Sequence, residues 1–384
     1  MIKVMVCDGD GTLELPTPSP AMRKLLQTLE ARKIQLAVAS NSSRASVVQR
    51  FKSAGLTVPK IIVTPSEVHK PKPAGEYMLR IRDLAGVELN EMLYVGDHDK
   101  TDIFCAINAG VLPLAAKYAN PAIQYGFAIP SPQLLLDYIE IFCGQDSPYF
   151  GWEYASGTEN IDVRALIWDH STMTSTFKTV LKQHTDVPVG PKRVSATRQL
   201  LAYSLSQFYL SGLISKIDIT CVYPGHRMGS FNPTLSEFLI LATKMFRDRF
   251  IQDLLLRHTE APKSQYQGDQ RNIYDQFRTL QVNDRYKERI QGKRILVLDD
   301  FTTEGYSLET ARHMLLRAGA SKVYGVAMAK FKQTHAVAQI DKPWNPYAPC
   351  PLEMADIKLD YRRGSAYPLA DAYFKENVWG KYEG

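Results

Sequence analysis

The chain opens on Met1-Ile2-Lys3-Val4-Met5-Val6-Cys7-Asp8-Gly9-Asp10-Gly11-Thr12-Leu13, and this stretch decides the fold. Ile2 to Cys7 is a short apolar run, the pattern of a strand buried on both faces. It stops at two carboxylates separated by a single glycine. In a parallel sheet covered by helices, residues just past the carboxyl end of a strand face the crevice where ligands bind. Two carboxylates there can hold a hard cation such as magnesium. Taken alone, Asp and Gly in this order also suit a plain turn.

Working outward, strands and helices alternate. Ser19-Pro20 caps and opens a helix whose apolar face is Met22, Leu25, Leu26 and Leu29. Ile34 to Ala39 is a second strand, and a helix runs from Ser43 to near Gly55. Ile61 to Val63 is a third strand, and a helix follows Pro71 and Pro73. Met92 to Val95 is a fourth, with a helix from about Asp102 to Asn108. This alternation predicts an α/β fold with a doubly wound, mainly parallel sheet. Regularity weakens after Tyr118, and Gln133 to Phe142 reads as a closing helix. Each strand end carries chemistry. The second ends in Ser40-Asn41, whose hydroxyl and backbone N–H suit a phosphate oxygen. The third is followed by Lys70-Pro71-Lys72-Pro73. The fourth ends in Gly96-Asp97-His98-Asp99-Lys100-Thr101-Asp102.

These four elements, in this order, resemble the haloacid dehalogenase superfamily over residues 1–143. The resemblance implies a Rossmannoid parallel sheet and magnesium-dependent phosphoryl chemistry. Asp8 would be the nucleophile, and Asp10 the acid and then the base. Ser40 and Lys70 would hold the transferring group, with Asn41 beside it. Lys70 is preferred over Lys72 because the family's lysine directly precedes a Pro-x-Pro. Magnesium would be bound by Asp8, Asp10, Asp97 and Asp102. The segments Leu13 to Ile34 and Ser43 to Ile61 leave room for one helix each, so the cap is minimal and the site open.

Gly144 to Gly157 is rich in Gly, Ser, Tyr and Pro, and residues 144–159 are expected to be a linker. Helical stretches around 172–183 and 195–212 follow, with strands at Ile217–Val222, Ile295–Leu298 and Val323–Ala329. Ile295 to Ser307 is the second strong signal: an apolar strand, then Asp299-Asp300-Phe301-Thr302-Thr303-Glu304-Gly305-Tyr306-Ser307. Paired carboxylates suit vicinal hydroxyls, and backbone N–H groups at the following helix start suit a phosphate. The stretch resembles the phosphoribosyl-diphosphate motif of type I phosphoribosyltransferases, in the competence-associated branch, over residues 160–331. By that resemblance Asp299 and Asp300 meet the ribose, and Thr302 to Ser307 cradle the 5′-phosphate. Tyr223 to Arg227, including Gly225 and His226, lie near the diphosphate, and Lys263 and Arg271 close over it. Glu304 and Tyr306 depart from the small residues usual there. A carboxylate beside a phosphate is unfavourable unless it turns away or meets a cation. Residues 332–384 read as an irregular surface tail.

The chain has 384 residues, a net charge of +6 and a pI near 8.9. The charge excess is mild and forms no basic stripe, so a nucleic-acid binder is not expected. Five cysteines without a CxxC pair argue against a zinc site or disulfide framework. No apolar run reaches membrane-span length, and Met1 leads straight into a strand without a signal peptide. The expectation is a cytoplasmic enzyme with small-molecule partners, phosphoribosyl diphosphate and a phosphomonoester, a homodimer being left open. Two functions fit. One is phosphoribosyl transfer followed by removal of the 5′-phosphate. The other is a phosphatase controlled by a phosphoribosyl-diphosphate-sensing domain.

Overall fold

The computed structural model describes residues 1–9, 11–143, 149–168, 191–243, 245, 249–262 and 272–378. The first sheet is built from β1 (Val4–Cys7), β2 (Gln35–Ala39), β3 (Ile61–Val63), β4 (Met92–Gly96), β5 (Leu112–Ala116) and β6 (Phe127–Ile129). Their order is β3-β2-β1-β4-β5-β6, and every pairing is parallel. The chain reverses direction across the sheet between β1 and β4, which places the ligand crevice at their carboxyl ends.

Helix α1 (Pro20–Ala31) starts where expected: the Ser19 hydroxyl accepts the Met22 N–H at 3.3 Å. Helix α2 (Arg44–Ser53) is capped by Ser43 in the same way. Helices α3 (Glu76–Ala85) and α4 (Phe104–Ala109) end at Gly86 and Gly110, both with positive φ. Helix α5 (Pro132–Phe142) closes the unit. β5 and β6 were not evident from periodicity. Pro113 disguises β5, and it is tolerated because pairing with β6 begins only at Leu114.

The second sheet holds β7 (Trp152–Ser156), β8 (Ile161–Trp168), β9 (Ile219–Val222) and β10 (Arg249–Phe250). A side pair, β11 (Leu255–Arg257) with β12 (Leu280–Val282), precedes β13 (Arg294–Thr302) and β14 (Lys322–Lys330). β15 (Thr334–Gln339) and β16 (Lys358–Arg363) form an antiparallel pair, and β17 (Ser365–Ala366) returns to the sheet. The order is β10-β9-β13-β14-β8-β7-β17, with β10, β9, β13, β14 and β8 parallel.

Two expectations need correction. The 144–159 stretch is not wholly a linker: β7 pairs with β8, and Trp152 is fully buried. The 332–384 stretch is not an irregular surface tail. It holds β15 to β17 and a helix, Pro368–Tyr373, with Phe374 buried. Its prolines punctuate short strands, and periodicity over so few residues is unreadable. The expected helix at 172–183 lies outside the described residues.

One continuous apolar core joins the sheets. It includes Ile139 and Phe142 of α5, Tyr203 and Phe208 of the helix Pro191–Leu210, and Leu296 and Val326 of the second sheet. Beside a Tyr138–Ser206 hydrogen bond of 2.8 Å from α5, several polar ties between the two halves sit at the amino ends of the first sheet's strands. Tyr209 donates to the Met92 carbonyl at 2.7 Å, Asn90 to Leu210 at 2.9 Å, and the Met1 amino group to Tyr149 at 2.6 Å. The carboxyl end of the first sheet therefore faces away from the second. Among the described residues no helix is long and apolar enough to cross a membrane.

Candidate active sites

Asp8 leaves β1 with its N–H on the Val95 carbonyl, so it sits between the carboxyl ends of β1 and β4. Lys72 lies against it. The Lys72 side chain is 1% exposed, and its ammonium donates to Asp8 at 2.9 Å, to Asp102 at 2.7 Å and to the Tyr94 hydroxyl at 2.9 Å. Burial alone would lower its pKa. Asp102 and Asp8 outweigh burial and hold it above the ordinary lysine value. Burial raises Asp8, with Lys72 opposing that rise.

The structure brings Lys72, rather than the expected Lys70, against Asp8. Lys70 is exposed, and its amide is engaged by Glu76 at 3.1 Å. Both lysines precede a proline, so the sequence repeats the same dipeptide. Only depth separates them, and the deeper lysine meets the carboxylates.

Asp97 and Asp102 leave β4 and its following turn, Asp99–Ile103, as expected. With His98 their ligand atoms lie within 4.8 Å of one another. Their environments differ. One Asp102 oxygen takes Lys72 and Tyr94, and the other accepts the His98 N–H at 3.2 Å. Asp97 meets the exposed His98 ring at 3.3 Å through one oxygen. Its other oxygen lies where a Cβ on Gly11 would come within 2.9 Å, so it faces the loop after β1. Burial raises the Asp97 pKa, and His98 partly offsets this.

Ser40 is buried, with its hydroxyl accepting the Ser42 N–H at 3.1 Å. Asn41 accepts from Tyr77 at 3.1 Å. Arg50 donates to the Gly9 carbonyl at 3.3 Å and braces the loop after β1 from α2. Tyr94 and Arg50 were not singled out from sequence. A tyrosine inside a buried apolar strand is a signal, because its hydroxyl must find a partner. Residue 10, the expected acid–base aspartate, lies outside the described residues. Cys7 is buried beside the site, its thiol on the Ala37 carbonyl at 3.6 Å.

Residues 10–116 match the family model described as haloacid dehalogenase-like hydrolase. The N-terminal region is a haloacid dehalogenase-like hydrolase domain. Solved structures resembling it include a subfamily IA hydrolase of that superfamily from Geobacter sulfurreducens, at 20% identity. That match covers 36% of this chain and 99% of that one, with a TM-score of 0.28. A haloacid dehalogenase-like hydrolase from Bacteroides fragilis matches at 15% identity over 35% of this chain and 100% of its own, TM-score 0.30. A hydrolase of the family from Deinococcus radiodurans, solved with bound phosphate and sodium, matches at 22% identity. It covers 31% of this chain and 51% of its own, TM-score 0.25. No curated protein matches the chain at a significant level.

Outside the hydrolase domain, β13 runs to Thr302, beyond the expected Leu298, so Asp299 and Asp300 lie within a strand. Each carboxylate accepts the next residue's N–H: Asp300 to Asp299 at 2.9 Å, and Phe301 to Asp300 at 2.6 Å. Asp299 is buried, and burial together with Asp300 raises its pKa to about 8. The Asp300 amide, Ser307 and Arg257 oppose the rise. Gly305 has φ +86°, and a Cβ there would fall 2.1 Å from the His335 ring, so only glycine fits.

The two departures are accounted for by the segment after β14. Glu304 pairs with Lys332 and accepts from Thr334 at 3.0 Å, which turns its charge toward a cation. Tyr306 shares a 2.8 Å hydrogen bond with Tyr361. The Thr303 carbonyl takes the buried Lys330 ammonium at 2.6 Å, and Thr302 pairs with Lys330 in register.

The loop after β9 comes alongside, since the Tyr223 N–H donates to the Leu298 carbonyl at 2.8 Å. Gly225 closes on Ser230, His226 accepts the Ala261 N–H, and Arg227 is exposed. Arg257, not anticipated, lies behind. It stacks on Tyr223 at 5.3 Å and donates to Gln276 at 2.6 Å and Gly225 at 3.1 Å. Lys263 and Arg271 lie outside the described residues.

Proposed function

We propose that the chain is a bifunctional enzyme, a magnesium-dependent phosphomonoesterase joined to a phosphoribosyltransferase. The observation that carries the first half is the buried Lys72 ammonium between Asp8 and Asp102 at the crevice of the hydrolase domain. In this reading an Asp8 oxygen bonds to phosphorus as the ester oxygen departs. Asp10 gives that oxygen its proton, then takes one from the water that cleaves the aspartyl phosphate. Lys72 faces the phosphoryl oxygens, with Ser40 at their other side. Asp102 holds Lys72 in place. The residues present fit a magnesium ion. Asp8 and Asp97 would hold it, Asp97 through the oxygen turned toward Gly11, and the cation would offset phosphoryl charge.

The second half rests on the adjacency of Asp299 and Asp300, the Gly305 turn at a helix start and the loop after β9. A phosphoribosylated product is a phosphomonoester, which the first site can cleave. Because the first sheet's carboxyl end faces away from the second sheet, the product would pass through solution. A second reading makes the second domain a sensor, and the bracing of Glu304 and Tyr306 by the following segment favours it.

The test is diphosphate release from phosphoribosyl diphosphate with cell-derived acceptors, run beside aryl-phosphate hydrolysis. Acceptor-dependent release that Asp300→Asn removes, with hydrolysis unchanged, is the expected outcome. A hydrolysis rate altered by phosphoribosyl diphosphate without its consumption would establish the sensor.

A further inference from the structure

Away from both sites, a cavity of about 700 Å³ lies between the two halves, within the size range of small-molecule pockets. One wall comes from the hydrolase domain, through Arg82, Leu89 and Asn90 and the end of α4. The other comes from the amino edge of the second sheet, through Ile219, Arg249 and Lys293, with Arg289 nearby. Its floor is apolar: Ile214, Ile217, Ile219 and Ile251 are buried against it.

The charge is unbalanced. Of the lining acids, Asp218 is already paired with Arg294 through contacts of 2.9 and 3.0 Å, which hold its carboxyl below the usual range. Glu88 is exposed. Arg82 shares its charge with Asp83 at 2.7 Å. Arg249, Arg289 and Lys293 enter no ion pair among the described residues, and Arg289 lies over the Tyr286 ring at 5.8 Å. Three cations from three segments around an apolar floor match an anion carrying several charges and an apolar body. A single carboxylate would satisfy one guanidinium fork and leave the others unpaired.

We propose that this cleft binds a small phosphorylated molecule of the nucleotide class, gripped by both halves of the chain. Its position suggests a consequence. Asn90 lies two residues before the strand that leads into Asp97, and Lys293 immediately precedes the strand that carries Asp299. A ligand here touches the root of both functional strands without entering either site.

The experiment is calorimetric titration of the full chain with ADP in the absence of magnesium. The double variant Arg249→Glu/Lys293→Glu should bind ADP roughly tenfold or more weakly, and Arg289→Glu, on a separate segment, should weaken it in the same direction. Asp8→Asn and Asp300→Asn should bind as the parent does. Retained aryl-phosphate hydrolysis shows that the cleft variants fold, and if the double variant loses it, Arg289→Glu decides. ADP binding that is absent at millimolar concentration, indifferent to the cleft variants, or lost in Asp300→Asn would overturn the proposal.

Discussion

The two carboxylate clusters of this chain end parallel strands in similar sheets, yet they balance charge in opposite ways. At Asp8 the acids are bridged by a buried ammonium, Lys72, within 2.9 Å of both Asp8 and Asp102. At Asp299 the neighbouring acid is Asp300, and the cation behind, Arg257, is spent on Tyr223, Gln276 and Gly225. The first cluster holds its charges in a closed, buried ion-pair network. In the second, burial and Asp300 push the Asp299 carboxyl up to about 8. The first is closed by a buried cation of its own, and the second rests on two adjacent acids.

The largest effect that could break this contrast concerns the lysine. Lys72→Met should lower aryl-phosphate hydrolysis by about 10²–10³-fold and, by leaving buried acids unpaired, cost about 3 kcal/mol of stability in urea unfolding. Lys70→Met should stay within about twofold of the parent, as suits an exposed side chain. If the two variants exchanged these outcomes, the bridged cluster would not be the working one.

A smaller effect should appear in stability against pH. The folded-state pKa of Asp299 is raised from 3.8 to about 8, so between those values the folded chain holds a proton that the unfolded chain has released. Its contribution is fully present below pH 4 and is lost as pH rises to about 8, so stability falls across that window. Lys330 acts oppositely and higher up. Burial lowers it from 10.5 to about 7, so its cost is relieved as pH rises above 7. Asp299→Asn should therefore gain much more stability over the parent in melts at pH 9 than at pH 5. Equal gains at both would show that Asp299 is ionised throughout.

The smallest effect sharpens the reading of Glu304. Because its carboxylate faces Lys332, which is 57% exposed, Glu304→Gln should cost no more than about 1 kcal/mol. Phosphoribosyl-diphosphate affinity should be unchanged in the same variant. A marked tightening, measured by titration, would mean that the carboxylate points into the turn and repels phosphate.

Much of this was legible in the sequence where strands and helices have strong ends. Ser19 and Ser43 cap their helices as serine before a helical run should, and Val4 to Cys7 and Ile295 to Leu298 are apolar runs in the middle of sheets. What was missed has physical causes. β5 carries a proline, β7 sits in a stretch composed like a linker, and β15 to β17 are too short for periodicity to register. Within the sites, residues at strand ends were readable because the chain itself places them. Lys72, Tyr94 and Arg257 reach the sites by side-chain depth, which no local pattern encodes. The choice between Lys70 and Lys72 is the clearest case, since two identical Lys-Pro dipeptides differ only in which one the fold buries.

The central claim is that Asp8 is the nucleophile of a phosphomonoesterase. Its most direct test is magnesium-dependent hydrolysis of an aryl phosphate by Asp8→Asn, with circular dichroism confirming the fold. Asp8→Asn should lose at least about 10³-fold of that activity, because asparagine keeps the shape but cannot form the aspartyl phosphate. Near-parental hydrolysis by that variant would contradict it.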